Sequence, residues 1–132
     1  MKIREDGIIS LTPAADYTAK RGYLVTHDGS TATVSASATT RAQGVILDGN
    51  QTAAGYATEK VPVALLGAYK GTLLMCAGGA ISAGAWVQQD TDGQVVTDAG
   101  TGSRVIVGQA LEAATAAGDL IEVAPIAPLP LS

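Results

Sequence analysis

The sequence predicts an all-β protein, a small compact β-barrel or β-sandwich with an internal two-fold pseudo-repeat and extended terminal arms. Three observations lead there. Residues alternate between apolar and polar at a period of two, while helical spacing is weak along almost the whole chain. Asp-Gly and other Gly-rich turn signals separate these short runs. The chain also states one pattern twice. Gly22, Val25, Asp28, Gly29, Arg41, Gly44, Leu47 and Gly55 recur as Gly84, Val87, Asp90, Gly93, Arg104, Gly108, Leu111 and Gly118, at offsets of 62–64 residues. A fixed offset of this kind marks a repeated structural unit.

Each element has a local reason. Thr31–Ser37 sets Thr and Ser on one face and Ala32, Val34 and Ala36 on the other, so it reads as a strand. Tyr23–Thr26 precedes it through His27-Asp28-Gly29-Ser30, and Asp-Gly is a strong hairpin signal. Gly44–Leu47 is a short apolar strand closed by Asp48-Gly49-Asn50. Val61, Val63 and Leu65 share one face of a further strand. Pro62 inside it cannot donate a ladder hydrogen bond, which predicts an edge or a bulge. Tyr69–Met75 follows as its partner.

The second unit repeats the theme with Ala85–Gln89, a turn at Asp90-Thr91-Asp92-Gly93, Gln94–Thr97, Arg104–Glu112, a turn near Gly118, and Asp119–Val123. Leu111–Ala117 is the one run of good helix formers, but it is short and Gly118 stops it, so it reads as a strand end plus loop. The expected organisation is an N-terminal arm over 1–20, a β-domain over 21–124 with units at about 21–65 and 83–124, and a Pro-rich tail over 125–132. Prolines alternating with apolar residues in that tail keep it extended, free to lie on another surface.

Bulk properties narrow the function. The 132 residues make one domain with a thin core, for there is no Phe and only one Trp. A formal net charge of −4 disfavours a general affinity for nucleic-acid phosphates. The charge is uneven: seven of the eight basic residues lie in the first 70 positions, with Lys2, Arg4, Lys20 and Arg21 in or beside the N-terminal segment. They form either an ordinary solvated arm or one that docks on an acidic partner. A single Cys76 provides no internal disulfide. The first residues lack the apolar run of a signal peptide, and no segment is long enough to span a bilayer, so a soluble protein made in the cytoplasm is expected.

The residues that could carry chemistry do not form a constellation. His27 is the only histidine and sits in a hairpin turn, where a polar residue is expected anyway. Cys76 has no second cysteine at metal-ligand spacing and reads as a small buried hydrophobe. Asp90, Asp92 and Asp98 lack the alternating ligands and terminal Glu of a calcium loop. Gly100-Thr101-Gly102-Ser103 has no P-loop lysine. Tyr17, Tyr23, Tyr56, Tyr69 and Trp86 are not interleaved with basic residues as a base-stacking platform would be, and Trp86 reads as core or interface. The expectation is a non-enzyme with no catalytic, cofactor-binding or metal-binding residues.

The second half carries a recognisable cadence: Gly79-Ala80-Ile81-Ser82-Ala83-Gly84-Ala85-Trp86-Val87, then Asp92-Gly93-Gln94-Val95-Val96. It continues as Arg104-Val105-Ile106-Val107-Gly108-Gln109-Ala110-Leu111-Glu112-Ala113 and closes with Ala117-Gly118-Asp119-Leu120-Ile121-Glu122-Val123. With Arg21–Val25 and Gln43–Leu47 at similar places in the first half, residues 8–124 resemble the small decoration, or cement, proteins of tailed-bacteriophage capsids. The resemblance implies a β-domain on the outer surface of the virion head that reinforces contacts between major capsid protein subunits. It further implies a homotrimer, terminal arms reaching onto the shell, and neither nucleic-acid nor membrane partners. Two other readings stay open: another virion β-module such as a head-fibre base or tail-tube component, and a small carrier or ligand-binding barrel. A carrier needs a lysine on a hairpin tip, whereas Lys60 and Lys70 fall beside or within expected strands.

Overall fold

The computed structural model describes residues 6–48 and 60–132. Ten strands follow in order: β1 (Ile8–Pro13), β2 (Leu24–His27), β3 (Thr31–Val34), β4 (Gly44–Ile46), β5 (Val61–Leu65), β6 (Leu73–Cys76), β7 (Trp86–Gln89), β8 (Val95–Thr97), β9 (Arg104–Ala110) and β10 (Leu120–Leu131). Among the described residues there is no helix; 111–119 is a chain of turns held by an antiparallel bridge between Ala114 and Ile81. The Gly49 turn and Gly55 lie outside the described residues.

The first five strands close into a barrel in the order β1-β3-β2-β4-β5, and the last five form a sheet in the order β6-β10-β9-β7-β8. These orders are the same once β1 is matched to β6, β2 to β7, and so on. The registers agree as well. Val25 faces Gly44 where Val87 faces Gly108; Val45 faces Ala64 where Gln109 faces Ala124; Leu11 faces Val61 where Met75 faces Ile121. A parallel β1–β3 pair closes the first barrel, and a single parallel bridge from Ala77 to Val95 stands at the corresponding place in the second. Each unit therefore takes in one strand, β1 or β6, from before the glycine cadence.

Glycine is required at the tightest point of each unit. A Cβ on Gly44 would lie 2.4 Å from Val63 Cγ1 and 2.8 Å from the Ala64 carbonyl oxygen; on Gly108 it would lie 2.5 Å from Val123 Cγ1 and 2.6 Å from the Ala124 oxygen. The two collisions are the same contact made twice.

Pro62 is a correction to the sequence reading, because β5 is no edge: it pairs with β1 on one side and β4 on the other. The register sets Pro62 opposite Leu47, whose amide donates to the Pro62 carbonyl at 2.9 Å. The return bond would need an N–H that proline lacks. Arg21 replaces it, its Nε donating to the Leu47 carbonyl at 3.3 Å. Closure of the barrel leaves no exposed edge at Pro62 for strand addition.

Among the described residues, both terminal segments contribute strands paired within the chain. Of residues 1–20, Ile8–Pro13 form β1, which runs between β3 and β5 and buries Leu11. Of residues 125–132, all but the last continue β10, with Leu129, Pro130 and Leu131 opposite Ile106, Val105 and Arg104 of β9. A register shift between Pro125 and Leu129 accommodates the proline-rich stretch.

Two apolar clusters fill the molecule. One is the barrel interior, with Leu11, Tyr17, Val25, Ile46, Val61 and Val63. The other joins the inner face of the second sheet (Met75, Val87, Val95, Ile121, Val123) to the outer face of the first barrel (Leu24, Val45, Ala64). The units thus share a core, each fully buried Val or Leu contributing about 1.5–3 kcal/mol. Their backbones join too: Leu24 N donates to Gly93 O at 2.7 Å and Cys76 N to Gly22 O at 3.0 Å.

Candidate functional site

The residues examined for chemistry are spread over turns. His27 ends β2, where its Nδ1 accepts the Gly29 amide at 3.0 Å and its own amide donates to Gln43 Oε1 at 2.7 Å. Cys76 is buried, with Gln94 Nε2 3.4 Å from its Sγ. The same amide nitrogen lies 3.4 Å from the Tyr23 hydroxyl, whose pKa is raised by burial and then by Cys76 beside it. Lys60 directly precedes β5, and Lys70 lies in the linker between the units, not at a hairpin tip.

The acidic residues hold turns. Asp28 accepts the Ser30 and Thr31 amides, and these bonds, led by Thr31, lower its pKa. Asp119 is lowered likewise by the amide and hydroxyl of Thr115 and the amide of Ala116. Asp98 is lowered first by the Gly100 amide and then by Arg104, with which it forms an ion pair across the Gly100–Ser103 turn. Asp90 and Asp92 each accept a nearby backbone amide, from Thr91 and Gln94. Among the described residues no three His, Cys, Asp or Glu side chains gather to hold a metal, and no helix is long and apolar enough to cross a membrane.

Of the four N-terminal basic residues, Lys2 and Arg4 lie outside the described residues. Lys20 sits over the Tyr23 ring, 4.5 Å from its centroid, and Arg21 is tied to Leu47. Both described cations therefore contact their own chain.

A residue that sequence reasoning missed joins the two units. Gln89, at the end of β7, has no exposed surface. Its Oε1 accepts the Ala42 amide at 3.0 Å, and its Nε2 donates to the Ser37 and Thr40 carbonyls at 2.7 and 2.6 Å. One carboxamide from the second unit thus satisfies three backbone groups of a first-unit loop. Nothing in its local sequence, at the end of a strand beside the Asp90 turn, marks it as buried.

What remains is surface, and the outer faces of the two units differ. The first unit's Leu24, Val45 and Ala64 are covered by the second unit. Their counterparts Trp86, Gln109 and Ala124 are not; Trp86 is 48% exposed. Around it, Ile106, Ile126, Leu129 and Leu131 line a shallow apolar hollow of about 280 Å³, with Asp98 at its margin. A larger hollow of about 650 Å³ has a mixed lining of Thr26, Thr40, Arg41, Ala42, Gln43, Leu66 and Pro128 where the first unit meets β10.

No curated protein matches the chain. A family model described as phage cement protein matches residues 3–125, which spans both β-units and stops at Pro125. The chain belongs to the phage cement protein family.

Proposed function

We propose that this protein decorates the outer surface of an icosahedral phage head, as a homotrimer, and stabilises contacts between major capsid protein subunits. The observation that carries the reading is the family match across both units. The structure supports it in physical terms. A cement subunit must transmit load between its attachment points, and here a barrel and a five-stranded sheet share one core and a buried polar tie at Gln89. A ligand that binds the assembled lattice and not its free subunits stabilises the lattice by RT ln(1 + [L]/Kd), about 2.7 kcal/mol at a hundredfold excess over Kd. Three copies joined together make the second and third attachments intramolecular, adding avidity without new contacts.

The test is co-sedimentation of the purified protein with undecorated heads, followed by heating of the heads with and without it. Saturable binding and a higher disruption temperature are the expected results. Heads that neither retain the protein nor gain thermal resistance would defeat the proposal.

A further inference from the structure

We infer that Arg41 holds a carboxylate supplied by the shell, an acidic side chain of the major capsid protein seated in the hollow where the first unit meets β10, a contact that rests on the capsid-binding reading above. The internal repeat shows what Arg41 lacks. Its counterpart in the second unit, Arg104, forms an ion pair with Asp98. Asp98 in turn corresponds to Ser35. Val34 pairs with Val25 where Thr97 pairs with Val87, and the residue that follows makes the same backbone bond in each unit. Ser35 N donates to Leu24 O at 2.9 Å, and Asp98 N to Trp86 O at 2.8 Å. Both units therefore carry the arginine, and only the second carries the carboxylate that neutralises it. Ser35 is buried, with its hydroxyl 3.4 Å from the Ser37 carbonyl.

The surroundings of Arg41 suit a carboxylate from outside. Arg41 is exposed and lines the hollow of about 650 Å³, to which no acidic residue contributes. Among the described residues the only ion pair is that of Asp98 with Arg104. The hydroxyl-bearing Thr26 and Thr40 share the hollow with Arg41, as does Gln43. Gln43 Oε1 is taken by the His27 amide at 2.7 Å, which leaves that side chain with donors to offer. A cation among donors is complementary to an anion, and a guanidinium takes a carboxylate through two parallel bonds, a geometry that an ammonium lacks. A second copy of this chain is a poor source of that group. Every carboxylate of its second unit, where the acids are concentrated, already accepts a hydrogen from its own chain. The carboxylate therefore comes from a different protein, and the shell is the one this molecule must grip.

The experiment measures binding of the full chain to undecorated heads by co-sedimentation, at low and at high salt, for the wild type, Arg41→Ala, Arg41→Lys and Lys70→Ala. Lys70 is an exposed cation outside the hollow and controls for charge in general. With circular dichroism and Tm unchanged, Arg41→Ala should bind heads at least about 10-fold more weakly at low salt and lose less on adding salt. Lys70→Ala should lose less than about 3-fold, and Arg41→Lys, which keeps the charge without the fork, should fall between them. Carbodiimide coupling of the Arg41→Lys variant on heads, read by mass spectrometry, should join position 41 to an Asp or Glu of the major capsid protein.

Wild-type affinity in Arg41→Ala, or an equal loss in Lys70→Ala, would overturn the inference and leave the capsid-binding reading intact. So would coupling of position 41 to another copy of this chain, which would make a second copy the occupant. A wild type that never binds heads would overturn the reading and the inference together.

Discussion

Replacing Gln89 by Met tests whether the two units are one cooperative body. Met nearly matches the length and volume of Gln but offers neither the acceptor nor the donors that hold the Ser37–Ala42 loop. Ala42 is 1% exposed, so its amide, once abandoned by Oε1, has no route to water. A buried donor left unpaired costs about 1–3 kcal/mol. Thr40 is exposed and Ser37 half-buried, so their carbonyls recover part of their loss through solvent, and each adds about 0.5 kcal/mol. The new thioether gains some apolar burial, which offsets a fraction. The expected loss is about 2–3 kcal/mol, or a fall in Tm of about 7–11 °C for a chain of this length, read by urea titration and by calorimetry. Gln89→Glu adds a sign that can be worked out. Its ionised carboxylate would face two carbonyl oxygens, which raises its folded pKa above the unfolded value of about 4.3. Its destabilisation is therefore smallest below that value and grows as pH rises through the folded pKa. If Gln89→Met loses less than about 1 kcal/mol, or if Gln89→Glu behaves the same at pH 4 and pH 7, the buried amide is not the tie described here.

Two further expectations follow from the fold. Gly44→Ala and Gly108→Ala should each destabilise by about 1–3 kcal/mol by denaturant titration, because either Cβ meets a backbone oxygen as well as a valine methyl; a harmless result at one site alone would break the equivalence of the units. Asp28, Asp98 and Asp119 have lowered folded pKa values, so the stability they give is present above the ordinary carboxylate pKa of about 3.9 and is lost as pH falls through the folded values. Asp119→Asn should flatten its share of the fall in Tm on acidification, and an unchanged acid limb would count against this.

Much of the fold could be read from the chain, and what escaped did so for identifiable reasons. The hairpins at Asp28-Gly29 and Asp92-Gly93 were legible because turn chemistry is local. Strand β1 was not. Ile9, Leu11 and Pro13 share one face, but Ile8 interrupts the alternation and the segment reads as patternless. Strand β10 looked as if it stopped at Val123, since three prolines suit a free extended arm equally well; only its pairing with β9 distinguishes the two, and pairing is not local. Pro62 misled in the opposite direction. Its missing N–H predicts an edge, and no local rule says that Arg21, 41 positions earlier, takes the carbonyl left over. The Gln89 tie escaped because its three partners are 47–52 residues away in sequence.

The duplication also explains why the outer faces of the two units differ. In a homodimer of barrels every substitution appears on both copies, so an apolar patch that suits one side burdens the other. Fusing the units removes that constraint. Position 24 could become a leucine buried between the units while its counterpart, position 86, became an exposed tryptophan. Likewise Val45 is buried where Gln109 is half-exposed and donates through Nε2 to the Gly84 carbonyl. The backbone frame, with its glycines at 44 and 108, is held the same in both units because a Cβ there would strike the neighbouring strand. The outward residues are under no such restraint and have diverged to do different work. The first unit's face is buried between the barrel and the second sheet, and the second unit's face stays open around Trp86.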